Sequence, residues 1–267
     1  MPPRKINPRT PEPGRMNLSD ALELGDRELV SFVGAGGKKT AMGKLAREAD
    51  SRGLVPGYTT TTHMPPPPEI PLVCVPPETV SSAVSGRTAP IAVASEWVFD
   101  PDRADKKVRG FDPESIDDLY DSNALDWVLV KADGARRREF KAPGPGEPVI
   151  PTRSTVVVVV ASVTAAGRPN DTGCVHRPER VAEIAGIERG DPLSPESMAA
   201  VLASERGGAK DIPERARAVL LVNKADTTEQ RHLARSLVRE TFRRTDAFSA
   251  GFVSSFVEDW LEPVPEN

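Results

Sequence analysis

Cysteine is scarce: only Cys74 and Cys174 occur in 267 residues, far apart and without CxxC spacing. That argues against a disulfide framework and points to a reducing, cytoplasmic setting. No further Cys or His partners near Cys174 and His176 form a zinc pattern, so no structural metal is expected. No apolar run approaches the ~18 residues of a membrane-spanning helix. The opening MPPRKINPRTPEPGR has no apolar core of the secretory-signal kind. A dominant charge is missing too. With 35 basic and 39 acidic side chains, the formal net charge of −4 gives no overall basic field for nucleic acid or anionic membrane.

Proline is abundant instead, with 27 residues clustered near the start and around Pro65–Pro68. Its mixture with charge makes residues 1–17 read as a disordered tail. Residues 18–267 then form a single α/β nucleotide-binding domain, long enough to bury a sizeable core.

Short apolar segments alternate with helical ones. Leu29–Gly34 reads as a buried strand, Thr40–Arg52 as a helix closed by Gly53, and Tyr58–His63 as a β-branched strand stopped by prolines. PLVCV and PIAVAS are short strands flanking a helix near Pro77–Ser85. Asp112 and Pro113 open a helix, followed by the strand LDWVLVKADG. STVVVVVASV has the β-branched composition of a strand covered on both faces. VHRPERVAEIAG and SPESMAAVLAS read as helices, the second capped by Ser194. ARAVLLVNKAD is a strand, and Thr227 or Thr228 caps the helix after it. Such alternation predicts a mostly parallel sheet with helices on both faces, with ligands beyond the carboxyl ends of the strands. Four polar clusters fall at predicted strand ends: Gly34–Thr40, Thr59–His63, Asp133–Lys141 and Asn223–Asp226. One rim would hold all four.

Gly34, Gly36 and Gly37 clear side chains from a backbone that must curl around phosphate oxygens. The helix beginning near Lys38 offers free N–H groups to an anion, and Lys38 supplies a point charge. Phe32 stands where the longer phosphate-loop pattern has its first glycine, but G-x-x-G-K-x-T is met from Gly34 to Thr40. The magnesium-binding hydroxyl normally follows the lysine directly, and here Lys39 intervenes. Three readings stay open. Thr40 turns inward, Lys39 and Thr40 act as the pair, or metal binding is weak. Lys38 on phosphate and Thr40 on metal is the assignment we favour.

Asp133 before Gly134 fits a carboxylate holding Mg²⁺ through water, or a simple turn. Arg136, Arg137, Arg138 and Lys141 suit an anionic substrate or a solvated basic loop. In NKAD, the Asp226 carboxylate could accept two bonds from guanine while Lys224 packs on the base and Asn223 ends the strand. The tetrapeptide is also compatible with a plain strand end. Thr59–Thr62 and His63 could bring hydroxyls and an imidazole near the phosphates, or form an ordinary strand. His176–Arg177 reads as a helix start.

Taken together, SFVGAGGKKT, TTTTH, VKADGARRREFKAPGPGEPVIP, VHRPE, GDPLSPE and NKAD resemble the YqeC family of selenium-dependent hydroxylase accessory proteins, from about Leu18 to at least Asp226. The segment Lys131–Pro151 is the most specific part. The resemblance implies a phosphate-loop NTPase-like fold and an association with maturation of molybdenum-dependent hydroxylases. Gly34, Gly36, Gly37, Lys38 and Thr40 match the family's glycine loop. Thr59–His63, Asp133, Gly134, Lys141 and Asn223–Asp226 match its other motifs. Two positions depart: Lys39 replaces a threonine and Lys131 a glutamate, and both add positive charge beside the phosphate rim. The expected function is a slow GTPase or ATPase using Mg²⁺ at Thr40 and Asp133, with Lys38 and Asp133 catalytic. A molybdenum hydroxylase or its maturation factors would be its partner. A non-hydrolysing nucleotide or anionic-cofactor module, and a small-molecule kinase or ligase, are the alternatives.

Overall fold

The computed structural model describes residues 16–100 and 105–265. The proposed tail therefore lies, except for Met16 and Asn17, outside the described residues. The strands are β1 (Glu28–Gly34), β2 (Pro56–Thr60), β3 (His63–Met64), β4 (Leu72–Cys74), β5 (Ile91–Ala94), β6 (Glu96–Asp100), β7 (Asp105–Arg109), β8 (Trp127–Lys131), β9 (Phe140–Lys141), β10 (Val156–Ser162), β11 (Val175–His176), β12 (Arg217–Asn223), β13 (Ala250–Ser255) and β14 (Trp260–Pro263). The helices are α1 (Leu18–Ala21), α2 (Lys38–Ser51), α3 (Val80–Val84), α4 (Pro113–Asp121), α5 (Pro178–Ala185), α6 (Pro195–Ala203) and α7 (Thr228–Phe242).

Nine strands form one sheet in the order β14-β13-β12-β10-β1-β8-β2-β5-β4. Every neighbouring pair is parallel except β13 with β14, so the α/β, mostly parallel expectation holds. Strand periodicity sorts the core. Val156, Val158 and Val160 of β10 join Val30 and Phe32 of β1 under α1 and α2. Val157, Val159 and Ala161 face the opposite side, with α5, α6 and α7. On that same face, Leu29, Val128 and Val130 pack against α3 and α4. Helices thus cover both faces, and a run of five valines suits a strand that has no solvent side.

Local capping follows the sequence. Asp112 accepts from Ser115 N at 2.8 Å, and Ser194 and Thr227 each build a reciprocal capping box. Gly53, at φ +76°, takes the left-handed turn after α2.

Three expectations need correction. The Tyr58–His63 strand stops at Thr60, whose hydroxyl accepts from Thr62 N at 3.0 Å and turns the chain out of the ladder. His63 and Met64 instead pair with β7 in a separate three-stranded sheet. The helix expected from Val175 begins only at Pro178. Val175 and His176 pair with β9, and Arg177 adopts left-handed φ +66° without capping the helix through its side chain. The helix α2 covers Lys38–Ser51 on Gly37, so its first turn begins at Lys38, as the anion-binding reading has it, and two residues before the Thr40 bound. Sequence reading assigns no element to β6, β7, β13 or β14.

Candidate anion site at the sheet rim

Because β1, β2, β8, β10 and β12 are parallel, Gly34, Thr60, Lys131, Ser162 and Asn223 end on one edge. The glycine loop leaves β1 there. A Cβ on Gly34 (φ +90°) would lie 2.1 Å from Val160 O, and one on Gly36 (φ +85°) 2.4 Å from Ser162 Cβ. Both the backbone angle and the close approach therefore require glycine. Gly37 heads α2 with no side-chain cap, so the first-turn N–H groups are not taken by a capping side chain.

Lys38 does not reach into solvent. It is 6% exposed, its ammonium donates to Gly34 O, and it pairs with Asp133 Oδ1 at 2.8 Å. Asp133 Oδ2 accepts from Gly34 N and from Lys141 Nζ, each at 2.9 Å. Lys141 completes its donors with Gly134 O at 2.6 Å and Glu147 Oε2 at 2.8 Å, and Glu147 also holds Arg177 at 2.8 Å. Burial alone would push the Asp133 pKa up. Lys38 and Lys141 outweigh it and hold the carboxyl at about 2. For Lys38 burial dominates and lowers its pKa despite Asp133. Asp133 Oδ1 is held by the Lys38 ammonium, so both carboxylate oxygens face buried cations.

A cleft of about 780 Å³ opens beside this network. Lys39, Lys131, Arg136, Arg137 and Lys224 line it, against Glu139 and Glu147. The local charge is strongly positive although the chain is net acidic, which is how a cleft concentrates an anion. Lys131 is buried and donates to Thr62 Oγ1 at 2.8 Å and His63 O at 3.0 Å. Burial, then the nearby Lys38 charge, pushes its pKa down to about 7. Arg136 and Arg137 both have positive φ, +47° and +62°, an uncommon pair that turns the loop back over the rim.

The NKAD segment touches the glycine loop. Asn223 Nδ2 donates to Gly36 O at 3.1 Å, and its Oδ1 accepts from Ser254 at 3.0 Å. Lys224, at φ +66°, is drawn to Glu139 with contacts of 2.7 and 2.8 Å. Asp226 is exposed and accepts from Ser255 Oγ at 2.5 Å, leaving its other oxygen without a side-chain partner among the described residues. Thr40 and Lys39 are exposed on the first turn of α2, and Thr40 makes no side-chain hydrogen bond among the described residues. His63 faces solvent at the cleft's edge.

Among the described residues no cluster of three His, Cys, Asp or Glu could hold a metal ion. Mg²⁺ bound mainly through phosphates needs only one or two protein oxygens. The Thr40 hydroxyl lines the cleft and is free for that role among the described residues, whereas Asp133 lies behind the cleft wall with its oxygens held by Lys38, Lys141 and Gly34 N. Glu139, Glu147 and Arg177 carry much of the site's electrostatics and escape sequence reasoning. Glu139 and Glu147 lie in the stretch Lys131–Pro151 and Arg177 in VHRPE, but nothing local marks them as partners of the rim cations.

No described helix is long and apolar enough to cross a membrane. The family model described as YqeC protein matches residues 30–179. A relative from Escherichia coli (strain K12), named "Uncharacterized protein YqeC", is 33% identical over 214 residues, covering 78% of this chain and 81% of its own length. With more than half the chain matched by the family model, and the rim segments from the glycine loop to Arg177 inside that match, the chain belongs to the YqeC family.

Proposed function

We propose that the cationic cleft binds a nucleoside triphosphate, GTP before ATP, and that the protein hydrolyses it slowly while assisting maturation of molybdenum-dependent hydroxylases. The bond from Asn223 Nδ2 to Gly36 O carries the nucleotide reading, because it joins a candidate base-reading turn to the glycine loop on one rim. Loop amides and the open start of α2 suit the phosphates, and Lys38 would stabilise charge developing on the transferred phosphoryl group. Magnesium would neutralise phosphate charge, with Thr40 offering a free hydroxyl and Asp133 a carboxylate that would first have to leave Lys38. Slow turnover follows from Lys38, whose ion pair with Asp133 must be exchanged for phosphate. The maturation role rests on the family resemblance. Co-purification with a molybdenum hydroxylase in the presence and absence of GTP checks it.

Calorimetry with GTP and ATP tests the site. Lys38→Ala is expected to lower triphosphate affinity at least about tenfold. An unchanged affinity removes the loop assignment. Asp226→Ala is expected to lower GTP affinity at least about tenfold, because guanine's two donors lose their acceptor, while ATP binding hardly changes. Equal GTP and ATP affinity in wild type, unaltered by Asp226→Ala, removes the guanine preference.

One observation favours a second reading, a module that holds the nucleotide without turnover. Asp133 is already engaged by Lys38, Lys141 and Gly34 N, and Lys131 adds further positive charge. Single-turnover phosphate release that depends on Mg²⁺ and exceeds a Lys38→Ala control excludes the passive module.

A further inference from the structure

A second cavity, of about 540 Å³, lies on the other side of the α2 N-terminus. Its volume is in the range that takes a whole small molecule. One wall is the flank of α2 at half-buried Gly43 and buried Ala46. The facing wall is the proline segment Pro66–Pro68 with Ile70. Prolines make a stiff apolar surface without backbone donors, which suits the face of a flat ring.

Tyr58 stands in this cavity. It is 2% exposed and lines the space, yet its hydroxyl has no hydrogen-bond partner among the described residues. Its oxygen is not among the fully buried atoms left without a partner, so it keeps access to solvent, and beside the cavity it can donate to a ligand acceptor in place of water. Lys39 and Thr40, which also line the cationic cleft, make one polar part of the cavity. Asp50 and the Arg47–Glu69 ion pair, at 3.4 Å, line it as well, which leaves Lys39 as its lining cation without an ion-pair partner among the described residues. Both spaces therefore meet at Lys39 and Thr40.

The geometry points to a second ligand site, for a small molecule with a flat, largely apolar body and one anionic group. The body lies between α2 and the prolines, an acceptor atom on it takes the Tyr58 O–H, and the anion faces Lys39. Lys131 and Lys38 stay with the cleft, so the two sites differ in chemistry: one is polyanionic, the other is aromatic with a single charge. This inference stands whether or not the cleft binds nucleotide.

The test uses 2-naphthoate and its neutral relative 2-naphthamide as probes, followed by ligand-detected NMR and fluorescence on the full chain. Gly43→Leu fills the cavity from the helix side. A Cβ there meets nothing closer than Arg47 Nη1 at 3.7 Å, and leucine is a better helix former than glycine, so the fold is kept. Expected results are saturable binding of 2-naphthoate to wild type and its loss in Gly43→Leu. Tyr58→Phe should weaken binding about fivefold or more, and Lys39→Gln should erase the preference for the acid over the amide. Gly43→Leu should melt no lower than wild type. The proposal is overturned if wild type shows no saturable binding up to about 1 mM, or if binding survives Gly43→Leu unchanged. Parallel GTP titrations separate the two sites: loss of naphthoate with GTP affinity retained in Gly43→Leu supports a distinct cavity. Absence of GTP binding in wild type with naphthoate binding intact removes only the nucleotide reading.

Discussion

Asp133→Asn is expected to cost about 3–5 kcal/mol of folding stability, the usual consequence of stranding a buried charge. The change keeps the side chain's size and, through its one oxygen, the bond to Gly34 N, but it removes the charge and sets an NH2 donor against the Lys38 ammonium. Lys38 and Lys141 then remain buried with Glu147 as their nearest carboxylate. Against a typical total of roughly 5–15 kcal/mol, a loss of that size takes between about a fifth and all of the margin. Urea unfolding checks it, and Asp133→Asn combined with Lys38→Met should recover much of the loss, because the unpaired ammonium is gone. A single variant as stable as wild type would mean the network carries no such charge coupling. The same ion pairs set an acid limit. With the carboxyl held at about 2 instead of the ordinary 3.8, the stability Asp133 contributes is complete above about pH 4 and is lost as pH falls toward 2.

Lys131→Met should act in the opposite direction, raising stability at neutral pH by roughly 3 kcal/mol. Burial, and then the Lys38 charge, lowers the Lys131 pKa from 10.5 to about 7. The unfolded chain therefore binds more protons than the folded one between those values, and wild-type stability rises as pH climbs from about 7 toward about 10.5. Below about pH 7 the penalty is complete. The full pKa difference corresponds to roughly 5 kcal/mol, and breaking the bonds to Thr62 Oγ1 and His63 O returns part of it. Lys38, also held down by burial, adds a slope of the same sign in both proteins, and because its charge acts on Lys131 the difference between them reports Lys131 together with that coupling. Urea midpoints at about pH 6 and about pH 10 give the check: the advantage of Lys131→Met should be large at the first and nearly absent at the second. A constant difference would show that Lys131 is charged throughout. If the cleft takes a polyanion, the same lysine recharges on binding. GTP association at about pH 8 should then take up a proton, visible as a buffer-dependent heat.

The local code was legible wherever one stretch of chain carries its own energetics. Five consecutive valines cannot leave a face in water, and β10 is buried on both sides. Asp112, Ser194 and Thr227 satisfy helix N–H groups a few residues away, so their caps are visible in sequence. Gly34, Gly36 and Gly37 announce a backbone that only glycine can follow, and parallel strand ends bring Asp133 and Asn223 to it. The sequence by itself therefore determined the sheet class, the loop and the rim.

Tertiary structure decided the partners. Glu147 meets Arg177 across 30 residues and Glu139 meets Lys224 across 85, and no local pattern marks either carboxylate for its cation. The Tyr58–His63 segment looked like one strand because threonines suit a ladder, yet Thr60 turned inward to bond Lys131 O at 2.6 Å and Thr62 N. Lys38 looked like a free phosphate ligand, and its pairing with Asp133 exists only because β1 and β8 lie side by side. Strand propensity, capping and glycine conformation act within a few residues of chain. Ion pairing and burial act through space, and their strength depends on which distant groups the fold has placed within about 4 Å in a low-dielectric surrounding.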